Sequence, residues 1–600
     1  MQLCACGSGL RWHRCCGFDP RSWGPFVGAA PLEPLIRQAA EAAGRGQRET
    51  AIRLCLDVLE LAPWHEGCLV LLARLHLSAD NRTAAEALLR RAVTIDPNSL
   101  LTTQDLCMLL FQKGSLAEAE IHARNAVRLA PDNPQSHNLM GMVLTEANRP
   151  QIGEYHYRRV LELIKRPDAI VLANLAWNLK QQGRMEEARE LYRQSVTLRP
   201  NEIKTLIGWA RLEEADREFD AATRVLAEAE RVLPGDAGVR LTRAVVAARQ
   251  GRTDAALTEL DALERADSAG LGPIEWSEKG RLLDQMGRYT EAFAAFAQAK
   301  KRALELGAPR YMPEAAEDLA HRLKQFFVAP RLAMLPRAGV RKDIAQPIFI
   351  LGFPRSGTTL TEQTLSAHPR IGAGDELPFI AEITQAMPRI LASPLSYPEA
   401  LCELWMGDQR EGLDVLRDYY LQRVWQMGVM QAGVEWFTDK MPLNEMHLGL
   451  VSILFPRAPL IHVVRHPLDV VLSVFSHHLT HGFYCAAELE SAARHYVLIA
   501  DLVDAYRAEM QLRYMCVRYE DLVMAQEVTV RGMLDFIGIE FDTACLAFYE
   551  NRRYARTASY AQVTEQLYAR SCYRYKGYLK ELEVVLPILA PVMSRLGYSL

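Results

Sequence analysis

Gly352-Phe353-Pro354-Arg355-Ser356-Gly357-Thr358-Thr359 lies between an apolar run, Pro347 to Leu351, and a helical pattern, Leu360 to Leu365. Strand, glycine-bearing turn and helix together cradle phosphate, because the N–H groups of the turn and of the helix N-terminus point at the anion. The glycines have the spacing of G-x4-G-K-[ST] loops, but Thr358 stands where the lysine belongs. The segment therefore suits a phosphate-like group without the lysine that reaches β- and γ-phosphates.

Two further apolar runs, Leu460 to Val464 and Tyr514 to Tyr519, also end in polar residues: Arg465-His466-Pro467 and Arg518-Tyr519-Glu520-Asp521. With Ile348 to Gly352 they alternate with helix-like stretches. That order predicts an α/β sandwich on a parallel sheet, whose ligand sits at the carboxyl ends of the strands.

These motifs, in this order, resemble the sulfotransferase superfamily, which uses 3′-phosphoadenosine-5′-phosphosulfate (PAPS). The resemblance implies that Arg355, Ser356, Gly357, Thr358 and Thr359 hold the 5′-phosphosulfate. It implies that Arg465 and Ser473 hold the 3′-phosphate, and that Tyr519 lies near the adenine. Within the superfamily the chain is most similar to the tyrosylprotein sulfotransferase-like branch. It shares Pro354-Arg355-Ser356-Gly357-Thr358-Thr359-Leu360, Ala367-His368-Pro369 and the acidic pair Asp375-Glu376, of which Glu376 maps to the catalytic base. Asp439-Lys440-Met441-Pro442 resembles the branch's D-K-x-P, which implies that Lys440 helps to stabilise the leaving group. Ser559-Tyr560-Ala561-Gln562-Val563 supplies a late serine, with Arg574, or Lys576, as the basic residue that follows it. His477 stands where the branch has an arginine beside the 3′-phosphate.

The expected reaction is in-line sulfuryl transfer to an acceptor hydroxyl, with Glu376 as general base and Arg355, Lys440, Ser559 and the loop N–H groups holding the developing charge. Each residue has a plainer alternative: Glu376 as a partner for the helix after Leu377, Lys440 as a surface lysine, Trp436 and the tyrosines from 554 to 578 as core. Asp469 and Asp521 are read as loop anchors. A nucleotide triphosphatase or kinase would require lysine at 358 and a metal-binding carboxylate where Arg465 stands. A non-catalytic repeat scaffold would not require the site residues. The acceptor could be a protein or peptide, a carbohydrate or a small metabolite.

Upstream, prolines at 63, 97, 131, 167, 200 and 234 fall 34, 34, 36, 33 and 34 residues apart, with glycines at 114, 183, 251 and 287. A period near 34 with helical patterning resembles tetratricopeptide repeats. It predicts seven to eight helix pairs in a right-handed superhelix, with a concave groove for a protein or peptide partner. The rival reading of the array is a spacer or dimerisation surface. At the start, Cys4, Cys6, Cys15 and Cys16, with Gly7 and Gly9 to turn the chain, offer four thiolates for a tetrahedral zinc. This segment resembles the SEC-C motif; the alternative is a disordered tail.

The expected domains are 1–20 (zinc motif), 33–305 (repeats), 306–346 (linker and closing helix) and 347–600 (sulfotransferase). A net charge of −4 gives no basic excess of the kind that marks a nucleic-acid binder. Apolar runs are too short for a membrane span, no secretory signal is seen at the start, and the eight cysteines outside the motif are spread singly. A cytoplasmic, multidomain α plus α/β protein is the expectation.

Overall fold

The computed structural model describes residues 3–18, 32–266, 271–306, 308–406, 411–430, 433–477, 479, 483–550, 567 and 569–600. It falls into two compact units, Met1–Asp216 and Arg217–Leu600. Sixteen helices, from Glu33–Gly44 to Tyr289–Glu305, make up the repeat array; eleven lie in the first unit and five in the second.

Every pair turns through one left-handed residue. These are Gly46, Asp80, Gly114, Asn148, Gly183, Arg217, Gly251 and Gly287, with φ between 56° and 77°. Glycine occupies five of the eight because it adopts this region without a Cβ penalty. Aspartate and asparagine tolerate it better than most residues, so Asp80 and Asn148 hide the repeat from a search for glycines. The helices of a pair approach on small residues such as Ala188 and Ala292, both fully buried.

In the first unit the cysteine segment is packed, not loose. Cys4, Leu10 and Cys15 share an apolar core with Val58, Leu59 and Leu88 of the first repeats. Arg91 donates to the carbonyls of Arg14 and Pro63 and lies 4.5 Å over the Phe18 ring. The remaining cysteines are not all single: Cys55 and Cys68 are both buried and hydrogen-bonded to each other.

The second unit holds a five-stranded, all-parallel sheet in the order β2-β3-β1-β4-β5. The strands are β1 (Gln346–Leu351), β2 (Ile371–Ala373), β3 (Trp436–Asp439), β4 (Leu460–Val464) and β5 (Tyr514–Arg518). β2 and β3 escape the sequence reading because three- and four-residue strands carry too few positions for a pattern. β1 is buried on both faces, as helix-covered parallel strands are. Phe349 and Leu351 enter one core, and Ile348 and Ile350 enter the other.

The first of those cores is continuous from repeat residues Leu241, Ala292 and Phe296, through Leu323, Phe326 and Phe327, to Val471 and Tyr578. The helix Pro313–Phe326, expected from the sequence to close the array over 315–323, lies within it. Because β2 and β3 lie on one side of β1 and β4 and β5 on the other, the chain reverses direction across the sheet at β1. That reversal opens a crevice at the carboxyl ends of the strands.

Candidate active site

The loop after β1 wraps the top of that crevice. Gly352 has φ +144°, and a Cβ there would come within 2.5 Å of both Ser356 Oγ and the Val463 carbonyl of β4. Gly357 has φ +111°, and a Cβ there would come within 2.4 Å of the Tyr519 ring. Both glycines are therefore required for close approach as well as for backbone conformation. The helix that follows, Thr358–Leu365, is buried along its whole length and directs its N-terminus at the crevice. Arg355 itself is left-handed, at φ +72°, a strain of roughly 1 kcal/mol that a functional loop can carry. Ser356 Oγ is buried and has no hydrogen-bond partner, so the loop holds an unused donor of the kind an anion would take up.

β4 supplies the opposite wall. Arg465 is 6% exposed; its Nη1 donates to the Arg355 carbonyl at 3.1 Å and its guanidinium lies 4.9 Å over the Tyr519 ring. It also donates to the Ser571 carbonyl and pairs with Asp469 at 3.4 Å, while its Nε has no partner. Asp469 does anchor a loop: its two oxygens accept from the N–H groups of Tyr573 and Tyr575, at 2.7 and 2.8 Å. One turn further along the helix Pro467–Ser476, Ser473 Oγ accepts from Arg355 Nε at 3.2 Å.

His477 completes this group more directly than the sequence suggests. Its Nε2 accepts from Arg355 Nη2 at 2.9 Å and its Nδ1 donates to the Ser473 carbonyl at 2.7 Å. Burial, with Arg355, Arg574 and Lys300 nearby, holds its pKa well below the usual histidine value. A neutral ring protonated on Nδ1 satisfies both contacts.

β2 and β3 position the second pair of groups. Lys440 follows β3 and is fully buried; its Nζ donates to Glu376 Oε1 at 2.7 Å, and Glu376 is 36% exposed on its side chain. Burial pulls the Lys440 ammonium down, but Glu376, Glu362 and Asp375 outweigh it and hold the pKa above the ordinary value. The helix Phe379–Ile390 starts without a side-chain cap, so Glu376 does not serve as one. Lys440 N donates to the Asp375 carbonyl at 2.9 Å, which locks the two loops together.

Beneath this pair, Glu362 and Tyr420 were missed from sequence, and Asp439 was read only as the neighbour of Lys440. Glu362, 1% exposed, accepts from Thr438 Oγ1 at 2.7 Å and from Asp375 N at 3.0 Å. Asp439, fully buried, accepts from Tyr420 OH at 2.7 Å and Asn444 Nδ2 at 3.2 Å, and burial pushes its pKa up to about 7. A carboxylate inside the otherwise uncharged helix Thr358–Leu365 was the one available signal for Glu362; Tyr420 carried none.

The structure thus gathers Arg355, Ser356, Gly357, Thr358, Thr359, Arg465, Ser473 and Tyr519 around the crevice, and joins Glu376, after β2, to Lys440, after β3. Arg574 lies against the Ser473 helix, with its Nη1 3.5 Å from Ser476 Oγ. Ser559 lies outside the described residues. Trp436 lies in β3, half-buried against the core. In the first unit the four sulfurs of Cys4, Cys6, Cys15 and Cys16 lie within 4.8 Å of one another, a spacing a tetrahedral zinc with ~2.3 Å Zn–S bonds can span.

Residues 347–543 match the sulfotransferase family model, and 42–100, 169–199 and 207–270 match tetratricopeptide-repeat models. An uncharacterized protein of Aquifex aeolicus is 32% identical over 42% of this chain and 33% of its own length, so the chain spans about a third of that relative. Protein-tyrosine sulfotransferase 1 of Danio rerio is 26% identical over 42% of this chain and 72% of its own; the Homo sapiens enzyme of the same name is 28% identical over 42% and 69%. No described helix is long and apolar enough to cross a membrane. The chain carries a sulfotransferase-family domain, built on a five-stranded parallel sheet, C-terminal to tetratricopeptide repeats.

Proposed function

We propose that the protein is a PAPS-dependent sulfotransferase acting on a hydroxyl acceptor. One observation carries the reading: a buried lysine and a half-exposed carboxylate, 2.7 Å apart, stand at the carboxyl ends of the sheet whose central strand leads into the anion loop. The donor fits the residues present. The loop offers the unpartnered Ser356 Oγ, Gly357 and the hydroxyls of Thr358 and Thr359 to the 5′-phosphosulfate. Arg465 and Ser473 offer a cationic and a neutral donor to the 3′-phosphate, and Tyr519, packed on Gly357, flanks the adenine.

In the reaction the acceptor oxygen forms a bond to sulfur as the bond from sulfur to the 5′-phosphate oxygen breaks. Glu376 takes the acceptor proton. Lys440 neutralises charge on the departing oxygen and holds Glu376 in place through its Nζ–Oε1 contact of 2.7 Å. Arg355 and Ser559 are the residues assigned to the charge developing on the sulfuryl group. Fixed cations acting in a dry crevice supply the largest share of such stabilisation.

The domain limits that best serve this reading are 33–305 for the repeats and 347–600 for the catalytic part, joined by 306–346. The repeats recruit a protein or peptide that carries the acceptor, and tyrosine is the favoured acceptor because the named relatives are protein-tyrosine sulfotransferases. The Cys4, Cys6, Cys15 and Cys16 thiols hold one structural zinc, and reduced thiols suit a cytoplasmic location. The test is release of 3′-phosphoadenosine-5′-phosphate (PAP) from PAPS with tyrosine peptides, sugars and phenols as acceptors. No release with any of them, together with no binding of PAP, overturns the assignment.

A further inference from the structure

Among the groups around Ser473 and His477, two come from the repeat array itself. The helix Pro273–Gln285 carries Asp284, which accepts from Arg574 Nε at 3.0 Å and from the Tyr578 hydroxyl. The helix Tyr289–Glu305 carries Lys300, whose Nζ donates to the His477 carbonyl at 2.7 Å, at the C-terminal end of the Ser473 helix. The apolar contacts are continuous with these: Phe293 stacks on Phe475 at 5.1 Å and Tyr289 meets Tyr578 at 5.1 Å. All these residues lie within the second unit, and Phe293, Phe475 and Tyr578 belong to one core.

We propose that the last repeat pair forms one wall of the 3′-phosphate subsite, with Asp284 and Lys300 as positioning residues: Asp284 aims Arg574, and Lys300 holds the end of the helix that presents Ser473 and His477. The inference rests on the sulfotransferase reading and adds to it a role for the repeats that is not partner binding. Two further features support it. Lys300 has no carboxylate within ion-pair distance among the described residues, and burial pushes its ammonium down to about 8. A cation so placed is the arrangement that an arriving dianion improves, and it also favours the negative end of the helix dipole. Asp284 takes the Nε edge of Arg574 and leaves its Nη1 beside Ser476, which fixes the plane of the fork.

The experiment compares PAP with adenosine 5′-monophosphate, which lacks the 3′-phosphate, by calorimetry on the full chain. Wild type is expected to bind PAP more tightly. Lys300→Met and Asp284→Ala each weaken PAP about tenfold with 5′-monophosphate binding unchanged. Lys300→Arg and Asp284→Asn, which keep the charge and the acceptor oxygen respectively, restore most of the affinity. In turnover the loss falls on KM for PAPS with kcat within about twofold.

Equal weakening of both nucleotides, or no weakening of PAP, overturns the proposal. If Asp284→Ala does not fold, the Lys300 pair decides. Arg465→Ala separates the two levels: if it abolishes PAP discrimination while the repeat variants do not, this inference falls and the function stands. If wild type does not discriminate PAP from the monophosphate, both fall.

Discussion

Lys440 and Glu376 form a contact of 2.7 Å between unlike surroundings: the ammonium is fully buried, whereas the carboxylate reaches solvent. An ion pair that is open on the acid side can release its carboxylate to an incoming hydroxyl while the lysine stays in place. Glu376→Ala and Lys440→Ala are therefore expected to lower kcat by ~10²–10⁴ and to leave PAP binding within a few-fold. PAP release under saturating PAPS checks this; full turnover in both variants removes the mechanism.

Arg465 bears on affinity instead. Its charge-assisted contacts are worth ~1.5–3 kcal/mol, so Arg465→Ala should weaken PAP roughly 10- to 100-fold. Ser473→Ala removes one neutral donor and should cost ~0.5–1.5 kcal/mol, about tenfold at most. Titration calorimetry reads both. A smaller effect for Arg465 than for Ser473 contradicts the assignment of the guanidinium to the dianion.

Asp439 supplies a pH signature. Its folded pKa is raised, from 3.8 to about 7, chiefly by burial. Between those values the native state holds a proton that the unfolded state releases. The stabilising contribution is therefore complete below about pH 4 and is lost as pH rises toward 7. In Asp439→Asn this loss disappears, so urea unfolding across pH 5–7 should show a shallower decline than wild type. An identical slope means that Asp439 titrates normally.

The repeat turns give a stability test free of packing changes. A Cβ on Gly251 would meet nothing within 4 Å, yet its φ is +74°. Gly251→Ala should destabilise by ~1 kcal/mol through backbone conformation alone. Denaturant titration reads this, and a neutral result shows that the turn relaxes.

Zinc content should be one ion per chain. Cys15→Ser should abolish it, as should strong chelation, and should lower the unfolding temperature of the full chain, because metal supplies much of the stability of so short a segment. Elemental analysis and thermal shift read the two effects. Full zinc occupancy in the variant excludes the four-cysteine site.

The site was legible wherever chemistry sits on a strand-to-helix turn. The Arg355 loop could be picked out from its glycines and flanking runs, and Arg465 with Ser473, and Lys440, from short motifs that resemble the family's. The repeat period was legible for the same reason: each turn is a local event, recorded in prolines and glycines. Short strands such as Ile371–Ala373 were not, because three residues cannot show a period.

By itself the sequence determined local matters: the glycine-dependent anion loop, the 34-residue helical period, the four clustered thiols and the types of the reacting groups. The tertiary structure alone decided which distant groups meet. Glu376 reaches Lys440 because β2 pairs with β3, Glu362 lies under both because β3 borders β1, and Asp284 meets Arg574 because the last repeat shares a core with the sheet. Spacing along a chain sets what one turn or one helix can present. Contacts across 64 or 290 residues depend on strand order and shared apolar burial, which no local pattern encodes.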